Sequence, residues 1–193
     1  MIRTLIVDDH PAVLRGLVSG LRFEPGMVAV ATATDLTTAL TEAKRSDPNV
    51  ALIDYQLAHG DGLSLCHALK ALAAPPAVLI YSAFARRELA VAARVAGADG
   101  MVDKGASLDE LLDAIRTVYR GENALPALRP ETLERAAQRL DPDDLPILGM
   151  RVEGTTLSEI ASVLQVEERE VSRRLATMLG RLAPPGASGR GDR

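Results

Sequence analysis

The chain has 193 residues, 47% of them hydrophobic and 25% charged, which suits a globular protein with one domain of about 120 residues and a smaller one. The net charge is −4, so the composition shows no excess of basic residues that would indicate nucleic-acid binding. No apolar run approaches the roughly 20 residues of a membrane span. The single cysteine, Cys66, excludes an internal disulfide. Without a signal-peptide pattern, it leads us to expect a cytoplasmic protein.

Strand and helix patterns alternate from residue 3 to about residue 120. Short apolar runs predict strands at 4–7, 27–33, 50–54, 77–81 and 100–102. Amphipathic spacing predicts helices at 11–23, 36–45, 63–73, 86–96 and 108–119, with Asp35 and Ser107 as N-caps. Five such units in series predict a doubly wound parallel sheet with right-handed crossovers.

Polar side chains follow four of these strands directly. The run 50–53 ends on Asp54, the first strand is followed by Asp8 and Asp9, the fourth by Ser82, and the fifth leads to Lys104. Ligands of open α/β sheets bind beyond the carboxyl ends of the strands. The sequence does not fix the strand order, but the order 2-1-3-4-5 of flavodoxin-like sheets would bring these carboxylates into one crevice, and we adopt it for that reason.

Clustered carboxylates repel one another, so a divalent cation and a nearby ammonium are the natural partners. Mg²⁺ takes oxygen ligands from a few carboxylates and keeps waters that a phosphate can replace. Lys104 supplies the ammonium and Ser82 a hydrogen-bond donor, so the site can hold a phosphoryl group. Asp54 stands alone at a strand end and is our candidate for the nucleophile.

The residues from 122 onward have a different pattern. Residues 122–144 carry three prolines and read as a linker with one helical stretch at 131–140. Residues 155–164 and 168–182 are amphipathic and flank a break at 165–167, which predicts a helix-turn-helix within 145–183. The segment 184–193 is rich in Pro, Gly, Ala and Arg and is predicted to be a disordered tail.

Together, Asp8-Asp9, Asp54, Asp61-Gly62, Ser82-Ala83 and Lys104 resemble the signature of the receiver domains of two-component response regulators over residues 1–121. The resemblance implies that Asp54 accepts the phosphoryl group and that Mg²⁺ is held by Asp9 and Asp54 directly and by Asp8 largely through a water. It also implies a main-chain carbonyl ligand from Gln56, and contacts from Ser82 and Lys104 to the phosphoryl oxygens.

The C-terminal segment is similar to the LuxR-type helix-turn-helix of the NarL/FixJ subfamily. The resemblance then implies a response regulator that a histidine kinase phosphorylates on Asp54, that forms a homodimer or heterodimer, and that controls transcription through a small all-α DNA-binding domain. Such a protein is not a metabolic enzyme. The family often has an aromatic residue three positions before the lysine, where this chain has Met101.

The charges of the predicted DNA-binding helix depart from the family pattern. Glu167 and Glu170 replace residues that are usually uncharged, and Ser172 stands where a lysine is common. The candidate DNA contacts are Arg169, Glu170, Arg173 and Arg174. Five arginines and five glutamates make residues 145–182 neutral, so we expect the monomer to bind DNA weakly.

Two other functions remain open from the sequence. A degenerate helix-turn-helix could bind a protein, which would make the chain a phosphorylated adaptor. A phosphohydrolase of the dehalogenase-like type also uses an Asp nucleophile and Mg²⁺. Those enzymes, however, place a second Asp two residues after the nucleophile at the end of the first strand, whereas Asp8 and Asp9 are adjacent.

Overall fold

The computed structural model describes residues 1–58, 60–83 and 87–184. Its centre is a parallel sheet with the strand order β2-β1-β3-β4-β5, so both the predicted fold class and the predicted strand order are confirmed. The strands are β1 Ile2–Val7, β2 Met27–Ala33, β3 Val50–Asp54, β4 Ala77–Ser82 and β5 Gly100–Asp103. All five residues of β3 are buried, as expected for a central strand that is covered on both faces.

Five helices connect and follow the strands: α1 Pro11–Arg22, α2 Leu36–Ser46, α3 Gly62–Lys70, α4 Arg87–Ala96 and α5 Leu108–Tyr119. Asp35 caps α2 by accepting from the Thr38 amide at 2.9 Å, and Ser107 forms a capping box with Glu110. The third helix ends at Lys70 instead of residue 73, because Ala71 already closes its last turn. Arg86, where we predicted the fourth helix to begin, lies outside the described residues.

Four further helices follow: α6 Pro130–Ala137, α7 Leu145–Val152, α8 Leu157–Leu164 and α9 Glu168–Leu182. The α8–α9 pair has the predicted bounds, except that Thr156 serves as the N-cap of α8 and forms a capping box with Glu159. Gln165 ends α8 in the left-handed conformation, with φ 56°. The helix in the predicted linker ends at Ala137, three residues early, and a 3-10 turn follows at Pro142–Asp144. Except for Pro184, the predicted tail lies outside the described residues.

The apolar residues form two clusters on opposite faces of the sheet. One cluster joins the sheet to α1 and α5. The other joins it to α2, α3 and α4 and continues without a break into α6–α9. Helix α4 shares the second cluster with the sheet, and it packs against α3 and against α6, α7 and α9. No helix among the described residues is long and apolar enough to cross a membrane.

Polar contacts also tie the α/β part of the chain to the C-terminal helices. His67 Nε2 of α3 lies 2.9 Å from Ser172 Oγ of α9. Arg151 of α7 donates to the carbonyl of Val95 at 3.0 Å. In the opposite direction, Arg94 of α4 lies 3.4 Å from the carbonyl of Val152. Helix α9 thus lies against α3 and α4.

Candidate functional site

The sheet register places the acidic residues side by side. Val7 of β1 pairs with Ile53 of β3, so the chain leaves β1 at Asp8 next to the point where β3 ends at Asp54. Ser82 ends the next strand. Asp8, Asp54 and Ser82 are buried, with exposed fractions of 1%, 4% and 1%. The three polar residues that the sequence placed at strand ends therefore share one crevice.

Lys104 joins two of these carboxylates. Its Nζ lies 2.6 Å from Asp8 Oδ2 and 2.8 Å from Asp54 Oδ2, and its amide donates to the carbonyl of Ser82 at 3.0 Å. Burial raises the pKa of Asp54 more than the hydrogen bond and charge of Lys104 lower it. The pKa of Lys104 itself is raised: burial opposes this, but its contacts with Asp54 and Asp8 outweigh the burial. The ammonium is therefore charged at neutral pH.

The carboxylates also have the geometry of a cation site. Asp8, Asp9, His10 and Asp54 each offer a ligand atom, and these atoms lie within 4.8 Å of one another. Asp9 Oδ1 is buried and accepts no hydrogen bond, although His10 Nδ1 lies 2.8 Å away, so the contact is close but poorly directed. A buried carboxylate oxygen without a donor is what a divalent cation would complete.

Gln56 was predicted as a main-chain ligand. Its amide donates to Asp54 Oδ1 at 3.1 Å, which holds the Asp54 carboxylate in place. The loop is closed by Asp61, whose side chain accepts from the amides of Leu63 and Ser64, both at 2.9 Å. The role of the Gln56 carbonyl stays a prediction.

The sequence did not reveal two neighbours of the site. His10 contacts both Asp8 and Asp9, and its position directly after the pair was a usable signal. The ring of Tyr81 lies 5.5 Å from Lys104 Nζ, a cation–π distance. Only the order of β4 and β5 in the sheet brings this ring to the lysine. Met101, at the position where the family often has an aromatic residue, is buried in β5.

The four candidate DNA contacts on α9 have different surroundings. Arg169 is exposed, and Glu170 holds Arg173 in a bidentate ion pair, with Nη2–Oε1 at 2.6 Å and Nε–Oε2 at 2.9 Å. Arg174 instead pairs with the buried Asp144 at 2.6 Å and is largely covered. Asp144 belongs to the predicted linker, so the contact links that segment to α9. In this arrangement Arg174 ties α9 to the segment before α7, and its role as a DNA contact stays a prediction.

Comparisons with known proteins agree with this geometry. The family model described as the response regulator receiver domain matches residues 4–116. The transcriptional activator DevR/DosR of Mycobacterium tuberculosis is 30% identical over 94% of this chain and 88% of its own length. The nitrate/nitrite response regulator NarP of Escherichia coli is 30% identical over 93% of this chain and 88% of its own length.

Solved structures give the same result. The response regulator ChrA of a heme-sensing two-component system is 31% identical, with a TM-score of 0.55 over 91% of this chain and 87% of that one. A complex of the response regulator RcsB with DNA has a TM-score of 0.62 over 96% of this chain and 95% of that one, and at 22% identity it supports the fold. The chain belongs to the LuxR-family response regulators with a receiver domain.

Proposed function

We propose that this response regulator is phosphorylated on Asp54 by a histidine kinase and that phosphorylation releases its C-terminal helices to regulate transcription. The observation that carries this proposal is the Lys104 ammonium, which contacts both Asp8 and Asp54 beside Ser82. A phosphoryl group on Asp54 would bring new negative charge within reach of Lys104. The ammonium would then exchange part of its contact with Asp8 for contact with the phosphoryl oxygens.

Mg²⁺ is the proposed cofactor of this site. Asp8, Asp9 and Asp54, with the carbonyl of Gln56, would hold it, and the unsatisfied Asp9 oxygen supports that assignment. The bound ion would neutralise charge on the incoming phosphoryl group and orient it toward the Asp54 carboxylate. The chain itself supplies the nucleophile, the amide of Gln56 that orients it, and the Lys104 cation.

Helix α4 connects this site to the output helices. It begins shortly after Ser82, and its outer side packs against α6, α7 and α9. A recognition helix must protrude to enter the major groove, which is about 12 Å wide, whereas α9 here lies against α3 and α4. DNA binding therefore requires that α9 leave this contact, and a shift of α4 on phosphorylation would weaken it.

Gel-shift assays on genomic fragments, with and without a small acyl-phosphate donor and Mg²⁺, test this function. We expect the donor to strengthen binding at specific fragments. A phosphorylated protein that binds no fragment would favour the adaptor function instead. Steady turnover of phosphate esters would favour a phosphohydrolase, because a receiver takes its phosphoryl group from a kinase or an acyl phosphate and not from a phosphate ester.

The proposed dimer would use α1 and α5. Large apolar side chains are exposed there: Phe23, Leu108 and Tyr119, at 81%, 46% and 43%. Leu108 lies against Gly20 of α1, where a Cβ would meet its side chain at 2.9 Å, so the two helices present one surface. A second candidate dimer surface, which runs from β4 to α5, includes α4, and the C-terminal helices cover that helix. A phosphorylation-dependent homodimer or heterodimer would join two half-sites by effective concentration.

The charge on α9 leads to a prediction about DNA affinity. Replacing Glu170 by Thr removes the bidentate partner of Arg173 and frees that guanidinium for a phosphate. We expect Glu170→Thr to strengthen monomer binding on any sequence and to steepen the salt dependence, log K against log salt, by about one unit. Glu134→Thr on α6 is the control with the same change in net charge. Equal effects of both variants would show that overall charge, and not release of Arg173, is responsible.

We call the arrangement in which α9 packs against α3 and α4 the closed arrangement. The contact between His67 and Ser172 makes its stability depend on pH. Burial first, and then the charge of Arg151, lower the pKa of His67 from its ordinary value of 6.5. A base whose pKa is lowered in the closed form stabilises that form above its ordinary pKa and loses this contribution as pH falls through the lowered value. We expect the distance between the receiver domain and the C-terminal helices, measured by fluorescence resonance energy transfer, to increase as the pH falls from about 7.5 to about 5. His67→Gln, which stays neutral, should remove most of this change, and an undiminished response in that variant would assign it to other groups.

A further inference from the structure

A cavity of about 440 Å³ lies at the seam between the α/β part of the chain and the C-terminal helices. Its walls come from α3, the end of α4, the segment after α5 and the end of α7. This is within the size range of small-molecule sites, about 300–1,000 Å³. The charged residues in its walls are Lys70, Arg94, Asp99, Glu122, Arg151 and Glu153.

Arg151 is a buried cation in this wall. It is 8% exposed, and within the described part of the chain it donates to main-chain carbonyls only, from Nε to Val95 at 3.0 Å and from Nη1 to Thr155 at 2.8 Å. Among the described residues, no carboxylate forms an ion pair with it. Its Nη2 lies against Gly97, where a Cβ would approach it to 2.6 Å. A buried guanidinium that binds only carbonyls is costly to keep.

Arg94 is the second cation, and it comes from the other side of the seam. Its contacts with the carbonyls of Val152 and Pro126 are long, 3.4 and 3.5 Å, at the weak limit of hydrogen bonding. Its Nε is buried without a partner. No described carboxylate forms an ion pair with this guanidinium either. Each of the two arginines thus has one contact across the seam, Arg94 with the carbonyl of Val152 and Arg151 with that of Val95.

The acidic residues in the walls do not neutralise these two cations. Asp99 is paired with Lys70 at 2.6 Å. Glu122 is paired with Arg120, outside the cavity, at 2.7 Å. Glu153 is exposed and forms no ion pair with a described residue, so its side chain can turn to solvent. Arg94 and Arg151 therefore line the cavity without a direct ion-pair partner among the described residues, although the charge of Asp99 still acts on Arg151.

We propose that this cavity binds a small dianion, a phosphate monoester or a dicarboxylate, between Arg94 and Arg151. The planar guanidinium matches the oxygens of both kinds of anion through paired hydrogen bonds. Two cations that approach from different directions favour an anion with two negative charges over a monocarboxylate. The ligand would supply an acceptor for Arg151 Nη2 and shorter hydrogen bonds for Arg94 Nη1 and Nη2, whose present contacts are long.

Because Arg94 and Arg151 belong to opposite sides of the seam, the ligand contacts both only while the seam is closed. Binding would therefore shift the population toward the closed arrangement and oppose release of α9. This regulatory consequence rests on the proposed function, whereas the binding itself does not. The bound dianion would therefore weaken the effect of phosphorylation on the C-terminal helices.

Titration calorimetry on the full chain tests the site, with glycerol phosphate and succinate as separate probes. EDTA is present, so that cation-dependent phosphate binding near Asp54 does not contribute. We expect at least one probe to bind with one site per chain, and Arg94→Gln to weaken that binding by about tenfold or more. Preference for glycerol phosphate or for succinate would identify the kind of dianion.

Arg45→Gln is the matched control, because Arg45 is an exposed arginine paired with Glu42 on α2. Arg151→Lys keeps the positive charge but loses the planar pair of guanidinium donors, so it should weaken binding. It should also preserve the thermal unfolding temperature better than Arg151→Gln. Absence of saturable binding by both probes, or wild-type binding by Arg94→Gln, would overturn the proposal. Labelling of Asp54 by an acyl phosphate in the same variants reports on the proposed function separately.

Discussion

Replacing Asp54 by Asn is expected to abolish Mg²⁺-dependent labelling by a histidine kinase or an acyl-phosphate donor. The amide is close in volume to the carboxylate but is not a nucleophile, and it also removes one ligand of the proposed cation. The fold should survive, because Lys104 retains its contact with Asp8 at 2.6 Å. Incorporation of radiolabelled phosphate, with the unfolding temperature measured in parallel, checks both expectations.

Asp103→Asn is the matched control for this prediction. Asp103 also ends a strand of the same sheet, but its side chain is exposed and accepts from the Gly105 amide at 2.7 Å, and it is not part of the acidic cluster. Labelling of the Asp103 variant should equal that of the unmodified chain. Full labelling of Asp54→Asn would instead place the acceptor on another carboxylate, with Asp8 and Asp9 as the nearest candidates.

Replacing Gly62 by Ala is expected to be the most destabilising single methyl addition among the described glycines. A Cβ at this position would lie 2.3 Å from the carbonyl oxygen of Asp54 and 2.9 Å from the Cα of Tyr55. Both obstacles are main-chain atoms next to the phosphoacceptor candidate, so neither can rotate away. We expect a loss of about 3 kcal/mol or more in the free energy of unfolding, and a fall of roughly 10 °C in the unfolding temperature.

Gly16→Ala is expected to change the free energy of unfolding in the opposite direction. Gly16 lies on the exposed side of α1, and a Cβ added there would meet nothing within 4 Å, so alanine should stabilise the helix by about 0.5–1 kcal/mol. Thermal denaturation of both variants measures the difference. If Gly62→Ala were as stable as Gly16→Ala, the loop from Asp54 to α3 would have to lie farther from the helix start than it does here. Reduced labelling in a folded Gly62→Ala variant would show that the same contact also positions Asp54.

The sequence was sufficient to predict the α/β architecture and the polar residues at the strand ends, whereas the strand order that brings these residues together was adopted because it made the carboxylates converge. Apolar runs of four or five residues, followed directly by Asp8, Asp54 and Ser82, need no long-range information to be recognised. Since parallel strands end at one edge of a sheet, the convergence of these residues follows from the strand order. The helix caps Asp35 and Ser107 are likewise local, because the capping side chain and the amide it satisfies lie within a few residues of each other.

Other features were decided only by the tertiary structure, because they join residues that are distant in the chain. The sequence predicts Arg174 as a DNA contact, and only the packing of α9 shows that it also pairs with Asp144. At positions 170 and 172 the chain departs from the family pattern, and the sequence suggests a change in DNA binding at both. In the structure, however, Ser172 contacts His67 of α3. Arg94 and Arg151 have no recognisable motif, and only the docking of α7 on α4 brings them both to one cavity without a carboxylate partner among the described residues. Periodicity determines which face of a helix is apolar, whereas the partner of that face depends on how the two parts of the chain pack.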